Sequence, residues 1–201
     1  MLMNRVERLE IRSRLRTQRL RRRVFPAFAR LADPRAVRDG TVLDVGCGPG
    51  RAAQWSLALG AARVVALDAD PRMVALASRR LRRASDRVTV QLGDVADTGL
   101  PDATVDVALE LQVLHHVPDW QAAIDELARV LRPGGTLFFE DSTEEALRQE
   151  WWSRTVLAHP HDNRFSTGQF TGELQRAGLV VDAVEEVVAG RWFLGVAHRP
   201  G

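Results

Sequence analysis

Apolar and polar positions along this chain switch repeatedly between two periods. Short β-prone runs, continuous or alternating, fall at Val42, Leu43 and Val45, at Val64 to Leu67, at Val88, Val90 and Leu92, at Val105 to Leu109, and at Thr136 to Phe139. Each reads as a strand. Helical patterns lie between them. One follows the glycines after Val45. A second starts at Asp70-Pro71, a capping acid followed by a first-turn proline. A third is capped by Asp119 and carries the apolar stripe Ala122, Ala123, Leu127, Val130 and Leu131; Gly134 and Gly135 are expected to end it. Toward the tail, Ser142-Thr143-Glu144-Glu145 reads as a capping box opening a helix that carries Trp151 and Trp152. Ser166 and Gln169 form another capping pair before a helix ending at Gly178. Two strands, VVDAVEEVV and RWFLGVAHR, then turn at Ala189-Gly190. Strands alternating with helices predict an α/β fold, a doubly wound and mostly parallel sheet.

The front of the chain reads differently. Residues 1–40 carry 12 Arg against 4 acids, and the rest carries 16 Arg against 22 acids. Its pattern predicts a helix with Val6, Leu9, Leu20, Val24, Phe28 and Leu31 inward. Pro26 should break or kink that helix, with Phe25 displaced from helical angles. We take residues 1–40 as an Arg-rich helical cap or lid of the same domain as residues 41–201. The segment fits three roles: a solvated helix over the sheet, a lid recognising an anionic acceptor, or an arm for RNA or membrane. The last lacks the aromatics usually interleaved with the basic residues.

Composition narrows the class. At 201 residues and 45% hydrophobic the chain suits one domain burying a two-faced sheet. It has no run of ~18 apolar residues and no charged-then-apolar leader, so neither a membrane span nor a signal peptide is expected, and a cytoplasmic location is the default. The one cysteine, Cys47, excludes a disulfide framework and a Cys-rich metal site.

The chemistry concentrates in TVLDVGCGPGR, Thr41 to Arg51. A strand breaks through Gly46, Gly48 and Gly50 into a helix, so backbone N–H groups can approach a ligand that a Cβ would exclude. The dinucleotide pattern G-x-G-x-x-G would need glycine at Arg51; here the third glycine comes one residue early, and Asp44 stands two residues ahead of the first. This argues against a pyrophosphate and for a nucleoside bearing a positive group. Asp68, at the tip of the next strand, is placed to accept ribose hydroxyls.

The run D-V-G-C-G-P-G resembles the first motif of class I S-adenosylmethionine-dependent methyltransferases. The segments ARVVALDADPRM, VTVQLGDV and VDVALELQVLHHVPD, with the L-R-P-G-G turn, follow in that family's order and spacing; the resemblance covers about Thr41 to Asp141. It implies a Rossmann-like, seven-stranded sheet whose last strand inserts antiparallel. It also implies S-adenosyl-L-methionine as cofactor, S-adenosyl-L-homocysteine as product, and a small-molecule or lipid-like acceptor methylated at O, N or C.

Carried over residue by residue, the resemblance places the cofactor against Asp44, Gly46, Cys47, Gly48, Gly50, Asp68, Ala69, Met73, Gly93, Asp94, Val95, Glu110 and Leu111. Asp44 and the Gly46 carbonyl would face the methionine amino group, with Glu110 and Leu111 near that end. Asp94 would take the adenine amino group, and Met73 would pack on the ring, although an ordinary core methionine reads nearly as well there. His115 and His116 follow the fourth strand, where acceptors bind, and either is a candidate base. The alternative reading has His116 packing the loop and His115 shaping the pocket. No clustered carboxylate completes a metal site with them. His159, His161 and Arg164 could reach over the pocket.

Other classes fit less well. Glu110-Leu111-Gln112-Val113 replaces the Asn/Asp-Pro-Pro-aromatic motif of adenine and glutamine methyltransferases, and Cys47 is committed to the turn rather than to pyrimidine C5 attack. A nicotinamide oxidoreductase lacks its Tyr/Lys pair, since the chain has neither residue. The remaining alternative is a non-catalytic module binding RNA or a protein through the Arg-rich segment.

Overall fold

The computed structural model describes residues 14–32, 34–145, 165–187 and 190–201. Val6, Leu9, Trp151, Trp152, His159, His161, Arg164 and Ala189 lie outside them. Five parallel strands form most of the sheet: β1 Thr41–Val45, β2 Arg63–Asp68, β3 Val88–Leu92, β4 Val105–Leu111 and β5 Leu131–Ser142. The strands β6 Val180–Val187 and β7 Trp192–His198 complete it in the order β3-β2-β1-β4-β5-β7-β6. Strand β7 is antiparallel to both β5 and β6, as the sequence predicts. Strand order reverses between β1 and β4, so the loops leaving their carboxyl ends diverge and leave a crevice.

Helices cover both faces. On one face α5 (Trp120–Val130) and α6 (Thr167–Arg176) close a core around Leu127, Phe139, Phe170 and Phe193. Ser166 caps α6 with the full reciprocal pair to Gln169, as read from sequence. On the other face lie α3 (Arg51–Ala58), α4 (Pro71–Leu81) and the N-terminal segment. Asp70 caps α4 by accepting from Arg72 N. Within the N-terminal segment Phe25 stacks on Trp55 with centroids 4.4 Å apart, and Phe28 meets Phe138 at 4.7 Å. Burying each such ring contributes roughly 1.5–3 kcal/mol.

Three expectations need correction. Pro26 does not break the helix. A π-helical turn, Leu20–Val24, separates α1 (Arg14–Arg19) from α2 (Phe25–Leu31), and Phe25 keeps helical angles at φ −63°, ψ −41°. The wider turn sends the Phe25 amide back to Leu20 O, so the chain absorbs the proline ring without leaving the helix.

Gly134 and Gly135 do not terminate α5. That helix ends at Val130, and β5 begins at Leu131, with a bulge between its pairings to Val105 and Val107. The carbonyls at the helix end are taken by the Arg199 guanidinium, which donates to Ala128 O, Arg129 O and Leu131 O at 3.1, 3.0 and 2.6 Å. A helix does begin at Glu144, as expected, but Ser142 does not cap it. Ser142 ends β5, and its hydroxyl donates to Gln112 Oε1 at 2.9 Å, while Thr143 donates to Gly190 O at 2.7 Å.

Candidate active site

Asp44 and the glycine turn are built together. Gly46, Gly48 and Gly50 all have positive φ, +55°, +51° and +76°. A Cβ at Gly46 would strike the Val113 side chain, and one at Gly50 would press on Ala77 and Leu81 of α4. Gly50 is the N-cap of α3 but has no side chain to cap with. The carboxylate of Asp44 substitutes, accepting from Ala53 N at 2.9 Å, where the helix dipole also favours negative charge. Asp44 therefore has a structural duty that its sequence position did not reveal.

Asp68 holds the other side of the turn. Its Oδ2 accepts from Gly48 N and its Oδ1 from Asp70 N, both at 2.8 Å. Burial raises the Asp68 pKa, and the two N–H donors oppose that shift. Each oxygen retains acceptor capacity for a ligand hydroxyl. The Cys47 thiol is pushed up by burial and by the neighbouring Asp44 and Asp68, so it stays a neutral wall residue.

These groups line a cleft of about 1040 Å³, partly continuous with solvent. Asp44, Gly46, Cys47, Gly48, Asp68, Ala69, Gly93, Asp94, Val95 and Leu111 all stand on its wall. Gly50 does not, although it shapes the turn. Asp94 accepts from Ala96 N at 3.0 Å and leaves the rest of its carboxylate exposed. Met73 is 1% exposed and lies off the wall, so the core-methionine reading describes its place.

Glu110 is also off the wall. It is fully buried beneath the 3₁₀ turn Leu114–His116, where Oε1 accepts from Val113 N at 2.8 Å and Leu114 N at 3.3 Å. Burial, then the charge of Asp141, raises its pKa well above the usual carboxylate range. These influences bias Glu110 toward its neutral form, and the two amide donors to Oε1 oppose them.

The two histidines exchange the positions assigned to them by the loop-packing alternative. His115 is the buried one: its Nδ1 pairs with Asp141, and its backbone N–H donates to the same carboxylate at 3.1 Å. His116 stands on the cleft wall, its ring centroid 4.0 Å from that of His115. No metal-holding group of three or more His, Cys, Asp or Glu occurs among the described residues.

Several wall residues escaped the sequence reading. Leu20 reaches the cleft from the N-terminal segment, which is anchored nearby by an Arg19–Glu140 ion pair and by Arg19 stacked over Trp192. Gln112, at φ +63°, turns the chain into the cleft and donates its backbone N–H to Glu140 O. Arg51, Val113 and Val117 complete that side. Only Arg51 had a local signal, as the residue following the last glycine.

Fold and cleft together define a doubly wound domain with a nucleoside-sized crevice at its switch point. The chain belongs to the class I S-adenosylmethionine-dependent methyltransferases. Residues 43–139 match the family described as methyltransferase domain. A probable S-adenosylmethionine-dependent methyltransferase of Mycolicibacterium smegmatis is 36% identical over 180 residues, covering 90% of this chain and 63% of that protein. The 27-O-demethylrifamycin SV methyltransferase of Amycolatopsis mediterranei is 37% identical over 170 residues, covering 79% and 61%. The chain thus spans about three fifths of the length of these relatives. A crystal structure of a Pyrococcus horikoshii protein superposes with TM-score 0.77 at 19% identity, covering 95% of this chain and 93% of that one; this likeness concerns the fold.

Proposed function

We propose that this protein transfers the methyl group of S-adenosyl-L-methionine to a small-molecule or lipid-like acceptor. The observation that carries the reading is the glycine turn clamped between Asp44 and Asp68 at the sheet's switch point, with Asp94 on the facing wall. The site suits the cofactor: the turn removes side chains where a nucleoside must approach, and the carboxylates supply acceptors for ribose hydroxyls and a positive amino group. When bound, the cofactor supplies an electrophilic methyl on a sulfonium whose charge disappears in the transition state.

The chain's own residues then align and exclude. Asp68 accepts from the ribose and Asp94 from the adenine amino group. Asp44 and the Gly46 carbonyl face the methionine ammonium, with Leu111 beside them. Holding two reactants in line contributes most of the acceleration available to such a displacement, so a base is needed only for acceptors that carry a proton. His116, on the wall, is the residue we assign to that role. His115 is a positioning residue: Asp141 fixes its ring, and that ring supports His116. The rifamycin-type relative supports a small acceptor, and the open side of the cleft accommodates a bulky one.

Isothermal titration with S-adenosylmethionine and S-adenosylhomocysteine, with NADH as control, tests the reading. Micromolar binding of the first two and none of the third is expected. Absence of nucleoside binding would overturn it and favour a non-catalytic module acting through the exposed Arg21, Arg22 and Arg23.

A further inference from the structure

Positive charge accumulates where α4 ends. From Arg51 to Arg87 the chain carries 8 Arg against 3 acids, and two of those acids, Asp68 and Asp70, are buried. Arg79 and Arg80 occupy the last turn of α4, and Arg82 and Arg83 open the 3₁₀ turn Arg82–Ala84 behind it. Two cations suit the carbonyl end of a helix; four exceed that need. With Gln54 and Leu57 of α3, the four arginines line a groove of about 730 Å³, partly continuous with solvent, whose wall holds no acid. The groove shares no wall residue with the cofactor cleft.

Elsewhere the fold neutralises arginines: Arg19, Arg30, Arg129, Arg132 and Arg176 each reach a carboxylate. No ion pair to Arg79, Arg80, Arg82 or Arg83 forms among the described residues. Backbone carbonyls orient two of them instead. Arg80 donates from Nε to Pro49 O at 2.6 Å, and Arg82 donates from Nη1 to Arg79 O at 3.2 Å. Those bonds leave the rest of both guanidinium forks for a ligand. Crowded like charges raise the energy of the groove, and an anion held by several of them relieves it. A phosphoryl group offers three acceptor oxygens to converging forks, where a carboxylate offers two. The concave wall favours a compact ligand over an extended strand, and it has no aromatic ring on which a base could stack. We propose that this groove binds a compact phosphorylated ligand whose phosphoryl oxygens are held by Arg79, Arg80, Arg82 and Arg83. Binding there is independent of what occupies the cleft.

Titration calorimetry with pyrophosphate at low ionic strength tests this on wild type, R82Q/R83Q and R21Q/R22Q. Saturating S-adenosylhomocysteine and a single-stranded RNA oligonucleotide supply two further arms. All four substituted side chains are exposed, and thermal melts establish that the variants fold. Wild type is expected to bind pyrophosphate saturably, with or without S-adenosylhomocysteine. R82Q/R83Q should weaken it about 10- to 100-fold, the scale of lost charge-assisted hydrogen bonds, and R21Q/R22Q should change it by less than about twofold. No saturable binding, an equal loss in both double variants, or displacement by S-adenosylhomocysteine overturns the site. RNA binding that R82Q/R83Q abolishes, with no binding of pyrophosphate, overturns the compact ligand and assigns the groove to nucleic acid.

Discussion

Two groups of buried carboxylates stand along the same edge of the sheet, and the fold handles them in different ways. At the carboxyl ends of β1 and β2, Asp44 and Asp68 accept from loop and helix amides and stand on the cleft wall. At the carboxyl ends of β4 and β5, Glu110 and Asp141 also accept from backbone amides, but they are sealed away, and burial, then the charge of Asp141, raises the Glu110 pKa. The bonding is alike; access to the cleft is what differs. A carboxylate on the wall keeps acceptor capacity for a ligand, whereas the sealed pair has no access to one and braces the His115–His116 turn.

The sharpest break in this comparison is Asp141→Ala. It strands the His115 ring, the His115 amide and the Ser142 amide, so a stability loss of about 2–4 kcal/mol is expected in urea denaturation. Cofactor affinity should change less than stability does. Asp68→Ala should do the reverse, weakening S-adenosylhomocysteine binding by about 1–3 kcal/mol in calorimetry. Unchanged affinity would mean that Asp68 serves only as the clamp on Gly48 and Asp70.

Glu126 supplies a control away from both groups. Arg129 and Thr98 hold its pKa down to about 2. A depressed folded pKa stabilises above the unfolded value and loses that contribution as pH falls. Glu126→Gln should therefore lower the melting temperature at neutral pH, and its difference from wild type should shrink as pH drops from about 4.5 toward 2. The smallest effect belongs to Glu110→Gln, which copies the neutral form that burial favours. At pH 5 the two should differ by less than about 1 kcal/mol. A raised folded pKa favours folding below the unfolded value and loses that as pH rises. Wild type should therefore fall relative to Glu110→Gln as pH rises above about 5, and a widening gap in the opposite sense would show that the Glu110 pKa is not raised.

The legible parts of the molecule were local ones. Asp70 before Pro71, Ser166 with Gln169, and the glycines after Val45 each carry their geometry within a few residues, so they could be read directly. The illegible parts depend on partners far along the chain. Arg199 closes a helix about 70 residues upstream, which no reading of Gly134 and Gly135 could anticipate. The Pro26 site depends on a π turn that local rules treat as rare. Glu110 and Asp68 look alike as strand-tip acids, and packing alone separates the sealed one from the one on the wall.

By itself, then, the sequence determined the alternation of strands and helices, the glycine turn and the order of the acids along it, because period and turn chemistry act over neighbouring residues. Tertiary structure alone decided which acids reach the cleft, that His116 rather than His115 stands on its wall, and that no acid joins Arg79, Arg80, Arg82 and Arg83 on the wall of their groove. Burial and pairing are set by residues brought together from distant segments, and that juxtaposition comes only from the folded sheet.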